Sequence, residues 1–389
     1  MKIPFLMLAA MAGWLVSEAA ANSQTWTLTD APSQSWTGVA SSADGAQLVA
    51  VADDFPMGTI YFSTNAGATW NQTTAPSQSW SSVASSADGS VLLAGADEFP
   101  NGTPYISTDG GNNWTETTAP ASDYVSVAAS ADGSTMVAVS QANPSGPIYV
   151  SPDSGNDWNP ASVTPNGWTG VASSADGVRM VAVALTFPAG PIFLSSDSGT
   201  NWTQANAPAQ EWEAVASSAD GTILAAVSDQ PESIVVSTNS GLTWSTTTAP
   251  ALSWAAIAAS ADGTHLAAAA NGGGIYQSTN SGASWIDTGA PVSSWSSIAS
   301  SADGNTLAAV VNGGGIYVWA IPSAPVLSLT VSAMGATLSW PSAASGYSVQ
   351  QSTDLVNWTS VTDMPTAVSG QEQITLSSTA TQMFFRLSQ

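Results

Sequence analysis

One cassette recurs along most of this chain and limits the folds that are open to it. The copy at residues 80–114 reads W-S-S-V-A-S-S-A-D-G-S-V-L-L-A-G-A-D-E-F-P-N-G-T-P-Y-I-S-T-D-G-G-N-N-W. Its first aromatic residue occurs seven times, at spacings of 44, 44, 44, 44, 42 and 41 residues: Trp36, Trp80, Tyr124, Trp168, Trp212, Trp254 and Trp295. A fixed period of this length predicts stacked or radially arranged supersecondary units.

Each copy is predicted to form four short strands, A to D. Strand A follows the aromatic residue, strand B is an apolar run such as L-V-A-V-A, and strand C is a run such as I-Y-F-S. An Ala-Asp-Gly turn separates strands A and B in all seven copies, and we expect it to be a type I′ turn, because Asp-Gly between apolar runs is a strong hairpin signal. The aspartates of these turns are Asp44, Asp88, Asp132, Asp176, Asp220, Asp262 and Asp303.

A second motif, S-x-[DN]-x-G-x-x-W, connects strands C and D in six copies. It resembles the Asp-box of bacterial-neuraminidase-type repeats. Its third position is Asn65, Asp109, Asp153, Asp197, Asn239 and Asn280. Because an amide replaces the carboxylate in half of the copies, the expected role is to accept hydrogen bonds across the turn rather than to act as an acid, base or nucleophile.

Four-stranded units repeated radially predict an all-β, seven-bladed β-propeller over residues 22–321. The seventh copy has no Asp-box after its strand C, which ends in the Val318-Trp319 pair. Trp26 precedes Trp36 by ten residues, as each Asp-box tryptophan precedes the next strand A. We therefore expect residues 23–29 to supply the missing strand D and to close the ring, leaving no long unpaired edge.

Composition restricts the compartment and the partners. Residues 1–21 are predicted to be a secretory signal peptide, because Lys2 precedes an apolar stretch too short to span a bilayer and an Ala-Ala-Ala cleavage site follows. The expected location is extracellular, at the cell surface or periplasmic. With no cysteine, three basic and 27 acidic residues, the chain lacks disulfides and thiolate metal ligands, and its charge opposes nucleic acid and anionic lipid.

The period ends at a linker of prolines and small residues, 322–325. Residues 326–389 are predicted to form a small β-sandwich of about six strands, similar to a fibronectin type III module but shorter. Its S-T-D-L-V-N-W segment at 352–358 and its terminal F-F-R-L resemble C-terminal modules of secreted bacterial proteins. Such a module binds carbohydrate, anchors the protein at the cell surface, or acts as a spacer.

Candidate binding residues lie where the cassette varies. The A–B and C–D turns share one face, here called the turn face, and the B–C and D–A connections share the opposite loop face. Variable loops on a rigid repeat usually carry binding. The predicted ligand-binding residues are therefore Asp53, Asp54, Phe55, Asp97, Glu98, Phe99, Phe187, Asp229 and Glu232. Arg179 and His265 precede strand B, opposite the core leucines, and are expected to be exposed on the turn face.

Three further carboxylates on the loop face suggest chemistry: Asp123, Glu211 and Glu213 are the candidate catalytic residues. The loop face is interpreted in three ways. The first interpretation is a solvated acidic rim. The second is a Ca²⁺ site with Asp53, Asp54, Asp97 and Glu98 as candidate ligands. The third is a glycosidase site with an acid/base pair. No other cofactor is expected.

The Asp-box resemblance implies the sialidase-like superfamily for residues 23–321, and fold alone does not select an activity within it. Sialidases of this superfamily bind the substrate carboxylate with three arginines, whereas this region contains only Arg179. Its assembly factors use a basic patch, and its xyloglucanases use acidic pairs between two propellers. The leading hypothesis is a monomeric, secreted, non-enzymatic propeller that binds a glycan or another exported protein; the alternative is a glycoside hydrolase using an acidic pair.

Overall fold

A computed structural model describes residues 24–54, 58–97, 102–141, 145–186, 190–230, 233–320, 327–332, 335–341, 348–354, 356–368, 371–376 and 384–388. The predicted signal peptide lies outside these residues. Contacts divide the chain into two compact units, one of which is Gln24–Ile321 and the other of which contains Pro322–Gln389. The described residues form strands and turns, and among them no helix is long and apolar enough to cross a membrane.

The described strands of the first unit, apart from β1, occur in six sets of four and one set of three that follow the period of the sequence. Strand β1 is Trp26–Leu28. Set 1 is β2 (Gln34–Ser41), β3 (Leu48–Ala52), β4 (Ile60–Ser63) and β5 (Asn71–Gln72). Set 2 is β6 (Trp80–Ser85), β7 (Leu92–Ala96), β8 (Tyr105–Ser107) and β9 (Thr115–Glu116). Set 3 is β10 (Tyr124–Ala129), β11 (Met136–Ser140), β12 (Ile148–Ser151) and β13 (Asn159–Pro160).

The remaining sets have the same order. Set 4 is β14 (Trp168–Ser173), β15 (Met180–Ala184), β16 (Ile192–Ser195) and β17 (Thr203–Gln204). Set 5 is β18 (Glu211–Ser217), β19 (Leu224–Gln230), β20 (Ser233–Ser237) and β21 (Ser245–Thr246). Set 6 is β22 (Trp254–Ala259), β23 (Leu266–Gly273), β24 (Ile275–Ser278) and β25 (Ile286–Asp287). Set 7 is β26 (Ser293–Ser300), β27 (Thr306–Gly314) and β28 (Ile316–Ala320).

Sets 1 to 6 are antiparallel meanders with strand A paired to B, B to C and C to D, and set 7 has the pairings A to B and B to C. Strand β1 pairs antiparallel with β28, and Trp26 lies opposite Trp319 in this register. Short additional pairings of β2 with β27 and of β23 with β26 join sets 1, 6 and 7 into one 12-stranded sheet.

The core lies between neighbouring sets. All five residues of the strand B in set 1 are buried, and the strand-A aromatic Trp36 is 0% exposed. Its ring meets Tyr61 of strand C edge-on, with ring centroids 5.7 Å apart. The same contact recurs in sets 2, 4, 6 and 7. Edge-to-face aromatic packing of this kind adds to the stability gained by burial.

The A–B turns differ from the expected type I′ geometry. In set 1 the Gly45 N–H donates to the Ser42 carbonyl at 3.0 Å, so that Ala43 and Asp44 are the central residues and glycine is the fourth. Only the glycine has positive φ, at 73°. Asp44 accepts from the Ser42 hydroxyl (2.6 Å) and from the Ala46 N–H (2.9 Å). The prediction was wrong because the aspartate side chain caps the turn and moves the glycine one position beyond its centre.

These turns are bonded to one another by backbone groups. The Ala43 N–H donates to the Ala87 carbonyl at 2.7 Å, and the Ala302 N–H donates to the Ala43 carbonyl at 2.8 Å. Each alanine bonds to the next, and the last bonds to the first, in the order Ala43, Ala87, Ala131, Ala175, Ala219, Ala261 and Ala302. Every one of these seven turns therefore has one neighbour as acceptor and another as donor.

The C–D turns show why an amide and a carboxylate are interchangeable there. In set 3, Asp153 accepts from the Asp157 N–H at 2.8 Å, and Ser151 accepts from the Gly155 N–H at 2.9 Å. In set 1, the amide oxygen of Asn65 accepts the equivalent N–H at 2.9 Å. The bond from the Asp157 N–H is the largest cause that lowers the pKa of Asp153.

The second compact unit contains two sheets in its described part. One has the order β29-β30-β34-β33 and the other β32-β31-β35. The strands are β29 (Ser328–Ser332), β30 (Gly335–Pro341), β31 (Ser348–Ser352), β32 (Thr359–Ser360), β33 (Thr366–Val368), β34 (Gln371–Leu376) and β35 (Phe384–Ser388). Leu338, Trp340 and Ile374 of the first sheet are buried in one cluster with Val349 of the second.

A substitution at Asp153 tests the structural role of the C–D turn. Asp153→Asn is expected to leave the melting temperature nearly unchanged, because Asn65 already accepts the same bond. Asp153→Ala removes the acceptor and is expected to lower the melting temperature by an amount on the order of 2 °C. Thermal denaturation measures both. An Asn variant that melts as low as the Ala variant would contradict the proposed acceptor role.

Candidate functional site

The two columns that carry the predicted site residues lie side by side on the loop face. In each of sets 1, 2 and 3, the residue after strand B donates its N–H to the carbonyl of the residue before the strand-A aromatic. These bonds join Asp53 to Ser35 (2.9 Å), Asp97 to Ser79 (2.8 Å) and Gln141 to Asp123 (2.9 Å). The bonds fix the start of the B–C loop against the start of strand A at one end of each set.

Side chains in these columns also meet the next set. The Ser79 hydroxyl of set 2 donates to Asp53 of set 1 at 2.5 Å, and the Ser253 hydroxyl of set 6 donates to Asp229 of set 5. In these two pairs, a carboxylate five residues after the first leucine of strand B is matched with a serine of the following set. Because the serine hydroxyl group donates to the carboxylate, the negative charge of each pair is hydrogen-bonded.

Between sets 2 and 3 the matching serine is replaced by Asp123, and two carboxylates face each other. Asp97 as a whole is exposed. Desolvation nevertheless raises the pKa of its carboxyl, and the negative charges of Asp123 and Asp53 raise it further. Asp53, Asp97 and Asp123 therefore form a first acidic cluster.

A second acidic cluster lies in set 5. Burial raises the pKa of Glu213, and the charges of Asp229 and Glu211 add to this effect. In set 4, the residue at the position of Glu213 is Thr169, whose hydroxyl donates to the carbonyl of Trp212 in the next set at 2.7 Å. An ionised glutamate has no proton to donate there, so the sequence replaces a bonding hydroxyl by a charge at this position.

Other candidate residues have different surroundings. Asp54 accepts from the Ser35 N–H at 2.9 Å, so its side chain ties the B–C loop to strand A. Phe55, Glu98, Phe99, Phe187 and Glu232 lie outside the described residues. Within the described part of the chain, no group of three or more acidic or histidine side chains is arranged to hold a metal ion.

Glycines in the B–C loops were missed by the sequence reasoning. The Gly190 N–H donates to the Gln210 carbonyl at 2.7 Å, and the Gly190 carbonyl accepts from the Trp212 indole at 3.0 Å. A Cβ at Gly190 would lie 1.6 Å from the Ala184 carbonyl oxygen, and Gly58 has the same 1.6 Å approach to Ala52. The available signal was a glycine two or three residues before strand C, which recurs in the four long B–C loops as Gly58, Gly102, Gly146 and Gly190.

Arg179 and His265 lie beside the A–B turns, away from both acidic clusters. The side chain of Arg179 is exposed and packs over Gly221 of set 5, and His265 is half-buried beside Gly304 of set 7. Arg179 is therefore on the turn face, as its register predicts.

Known proteins share the fold but not the sequence. No family model and no curated protein matches this chain. Among solved structures it is similar to YCF48 from Cyanidioschyzon merolae, with a TM-score of 0.58 and 16% identity over 77% of this chain and 99% of that one. It is also similar to YCF48 bound to D1 peptide (TM-score 0.57, 15%, covering 77% and 97%) and to the Myceliophteria thermophila Cps50 (Swd1) β-propeller domain (0.57, 15%, 76% and 99%). The chain therefore has an all-β, propeller-like fold.

The first acidic cluster predicts a stability change with a definite sign. The folded-state pKa of Asp97 is raised above its ordinary value of 3.8, so the ionised form is disfavoured in the folded protein. This loss of stability is present above the folded pKa and vanishes below the unfolded one. Asp97→Asn is therefore expected to raise the unfolding free energy at about pH 7, by at most about 0.5 kcal/mol, and to have no effect near pH 3.

Denaturant titrations at the two pH values measure this effect. Asp363→Asn in the other compact unit removes the same unit of charge and controls for the change in net charge. A gain that Asp363→Asn reproduces, or one that persists near pH 3, would contradict local repulsion at Asp97.

Proposed function

We propose that residues 22–321 form a seven-bladed β-propeller of the Asp-box type, closed by the N-terminal strand. The cycle of hydrogen bonds through seven alanines supports the blade count, and the pairing of β1 with β28 supports the closure. Trp26 stacks on Trp319, with ring centroids 6.3 Å apart, and its indole donates to Thr288 of set 6 at 2.8 Å. One N-terminal residue thus contacts the last two sets.

The proposed organisation includes an exported chain. Residues 1–21 are a signal peptide, 322–325 a linker, and 326–389 a fibronectin type III-like sandwich. The n-region, the apolar stretch and the A-x-A site support export, and the two described sheets with a shared buried cluster support the sandwich. The mature protein acts outside the cytoplasm as a monomer.

The proposed activity is non-enzymatic binding of another exported protein through the loop face. The observation that carries it is the uncompensated charge there: two acidic clusters, with Arg179 as the one basic residue between positions 24 and 321, on the opposite face. Such a face attracts a partner with a positively charged surface. The similar fold of YCF48, solved with a D1 peptide, supports a polypeptide partner over a glycan.

A glycoside hydrolase is the second candidate, and Glu213 is the observation that favours it. Burial and the charges of Asp229 and Glu211 raise the pKa of its carboxyl, so Glu213 holds a proton more readily than an ordinary glutamate. Glycosidases pair a protonated carboxylic acid with an ionised carboxylate in this way. Release of reducing ends from a polysaccharide panel, lost in Glu213→Gln, would support hydrolysis; no release by the wild-type protein excludes it for that panel.

Binding of a lysine-rich peptide tests the proposed activity. A triple variant with Asp97→Asn, Asp123→Asn and Glu211→Gln is expected to bind roughly tenfold more weakly, because three attractive charges are lost. The matched control carries Asp109→Asn, Asp153→Asn and Asp197→Asn, which removes three charges from the turn face. Calorimetry at low ionic strength measures the affinities. Equal losses in both variants would show non-specific attraction and contradict a loop-face site.

The closure is tested at Trp26. Trp26→Ala removes the stacking on Trp319 and is expected to cost about 3 kcal/mol, the lower end for a large-to-small change because the ring is only half-buried. Leu28→Ala is the control on the same strand, since Leu28 is 56% exposed. Chemical denaturation measures both variants. Equal stability of the Trp26 variant and the wild type would refute closure through β1.

A further inference from the structure

A groove between sets 4 and 5 on the turn face is not explained by the proposed function. It has a volume of about 400 Å³. Strand residues Met180 and Leu194 line it from set 4, and Leu224 and the C–D turn residue Leu242 line it from set 5. Leu242 is 75% exposed. More than half of the residues that line the groove are polar, among them Arg179, Asn239 and Ser240. Its volume lies within the range of pockets that bind small molecules.

The repeat supplies an internal comparison for this groove. The equivalent gap between sets 1 and 2 has a volume of only about 10 Å³. The position of Leu194 is occupied there by Phe62, and the position of Ser240 is occupied by Gly110. A phenylalanine fills space that a leucine leaves empty. The groove between sets 4 and 5 is therefore wider than the gap between sets 1 and 2, where Phe62 is the one aromatic residue in a column that otherwise holds Ile106, Val150, Leu194, Val236, Gln277 and Val318.

Arg179 gives the groove a positive charge. The stem of its side chain lies over Gly221, where an added Cβ would be 2.8 Å from two of its carbons. Its Nη1 donates to the hydroxyl of Ser240 across the groove. Among the described residues no carboxylate lies within ion-pair distance of it, although its charge helps to lower the pKa of Asp176. The rest of the guanidinium is available to a ligand.

We propose that this groove binds a carboxylate carried on an aliphatic chain. The guanidinium of Arg179 offers a planar pair of donors that matches a carboxylate, and Leu194, Leu224 and Leu242 cover the apolar part of the ligand. A monoanion fits better than a phosphate, because the chain as a whole carries a net charge of −24 and Asp176 is close. The proposal is independent of the loop-face activity.

Two sources of this chemistry are distinguished by the probes. Decanoate represents a free fatty acid, and a short peptide that ends in Leu-Leu with a free carboxyl group represents a polypeptide C-terminus. Calorimetry at low ionic strength is expected to detect saturable one-site binding of at least one probe. Decanol and the C-terminally amidated peptide, which lack the charge, are expected to bind roughly 10- to 100-fold more weakly.

Variants locate the site. Arg179→Gln is expected to weaken the binding probe roughly 10- to 100-fold and to make binding insensitive to salt. Leu194→Phe copies the filled gap of sets 1 and 2 and is expected to abolish binding. His265→Gln, in the same column but outside the groove, is expected to bind like the wild type. Because Arg179 is exposed, its variant should keep the wild-type melting temperature.

The outcomes divide as follows. Binding that Arg179→Gln and Leu194→Phe both reduce supports the site, and the better probe identifies the ligand source. Saturable binding that both variants leave unchanged overturns the proposal. Absence of binding by both probes to the wild-type protein overturns it as well.

Discussion

The fold of residues 24–320 depends on contact between neighbouring A–B turns. Backbone bonds between successive alanines hold each turn to the next, and a side chain of the preceding set lies over each turn glycine. At Gly45 an added Cβ would be 2.9 Å from Thr306, which belongs to the last set, and at Gly89 it would be 2.7 Å from Gln47. A glycine is thus required in these turns for two reasons. Its φ is positive, and a side chain of the preceding set occupies the space that a Cβ would need. A four-stranded set cannot bury both faces alone, and this contact determines where the next set lies.

The turn face and the loop face differ in how much the sequence varies from set to set, because the contacts between A–B turns involve only the turn face. On the turn face the alanine bonds and the capped A–B turns recur in all seven sets, and one of the columns that vary there holds Gln47 in set 1 and Arg179 in set 4. On the loop face the backbone bonds end one residue after strand B. Among the described residues of set 1, the B–C loop is bonded again through Asp54, which accepts from the Ser35 N–H, and through Gly58 close to strand C. The carboxylates of both acidic clusters lie on that face.

Much of the strand pattern was predictable from the sequence, whereas contacts between sets were not. Strand A begins at the predicted aromatic residue in sets 2, 3, 4 and 6 and one or two residues before it in sets 1, 5 and 7, because the strand positions depend on local alternation and on turns within one set. The A–B turn was assigned to the wrong type, since Asp-Gly in a hairpin does not reveal that the aspartate side chain caps the turn. Asp97 and Asp123 are 26 residues apart in the sequence, and their approach follows from how set 3 packs on set 2. The groove at Leu194 depends likewise on volumes contributed by two sets.

In a repeat of this kind, each unusual residue can be compared with the residues at the equivalent position of the other sets. Where Thr37 and Thr169 donate hydroxyl bonds to the next set, Glu213 places a carboxyl whose pKa is raised by burial and by Asp229 and Glu211. A carboxyl in that position costs stability relative to a hydroxyl when it is ionised, because it loses the donor and adds repulsion. The packing of the sets does not require this cost, since a threonine satisfies the same position in set 4. Departures that cost stability without improving packing are therefore the positions at which function is to be sought in this chain.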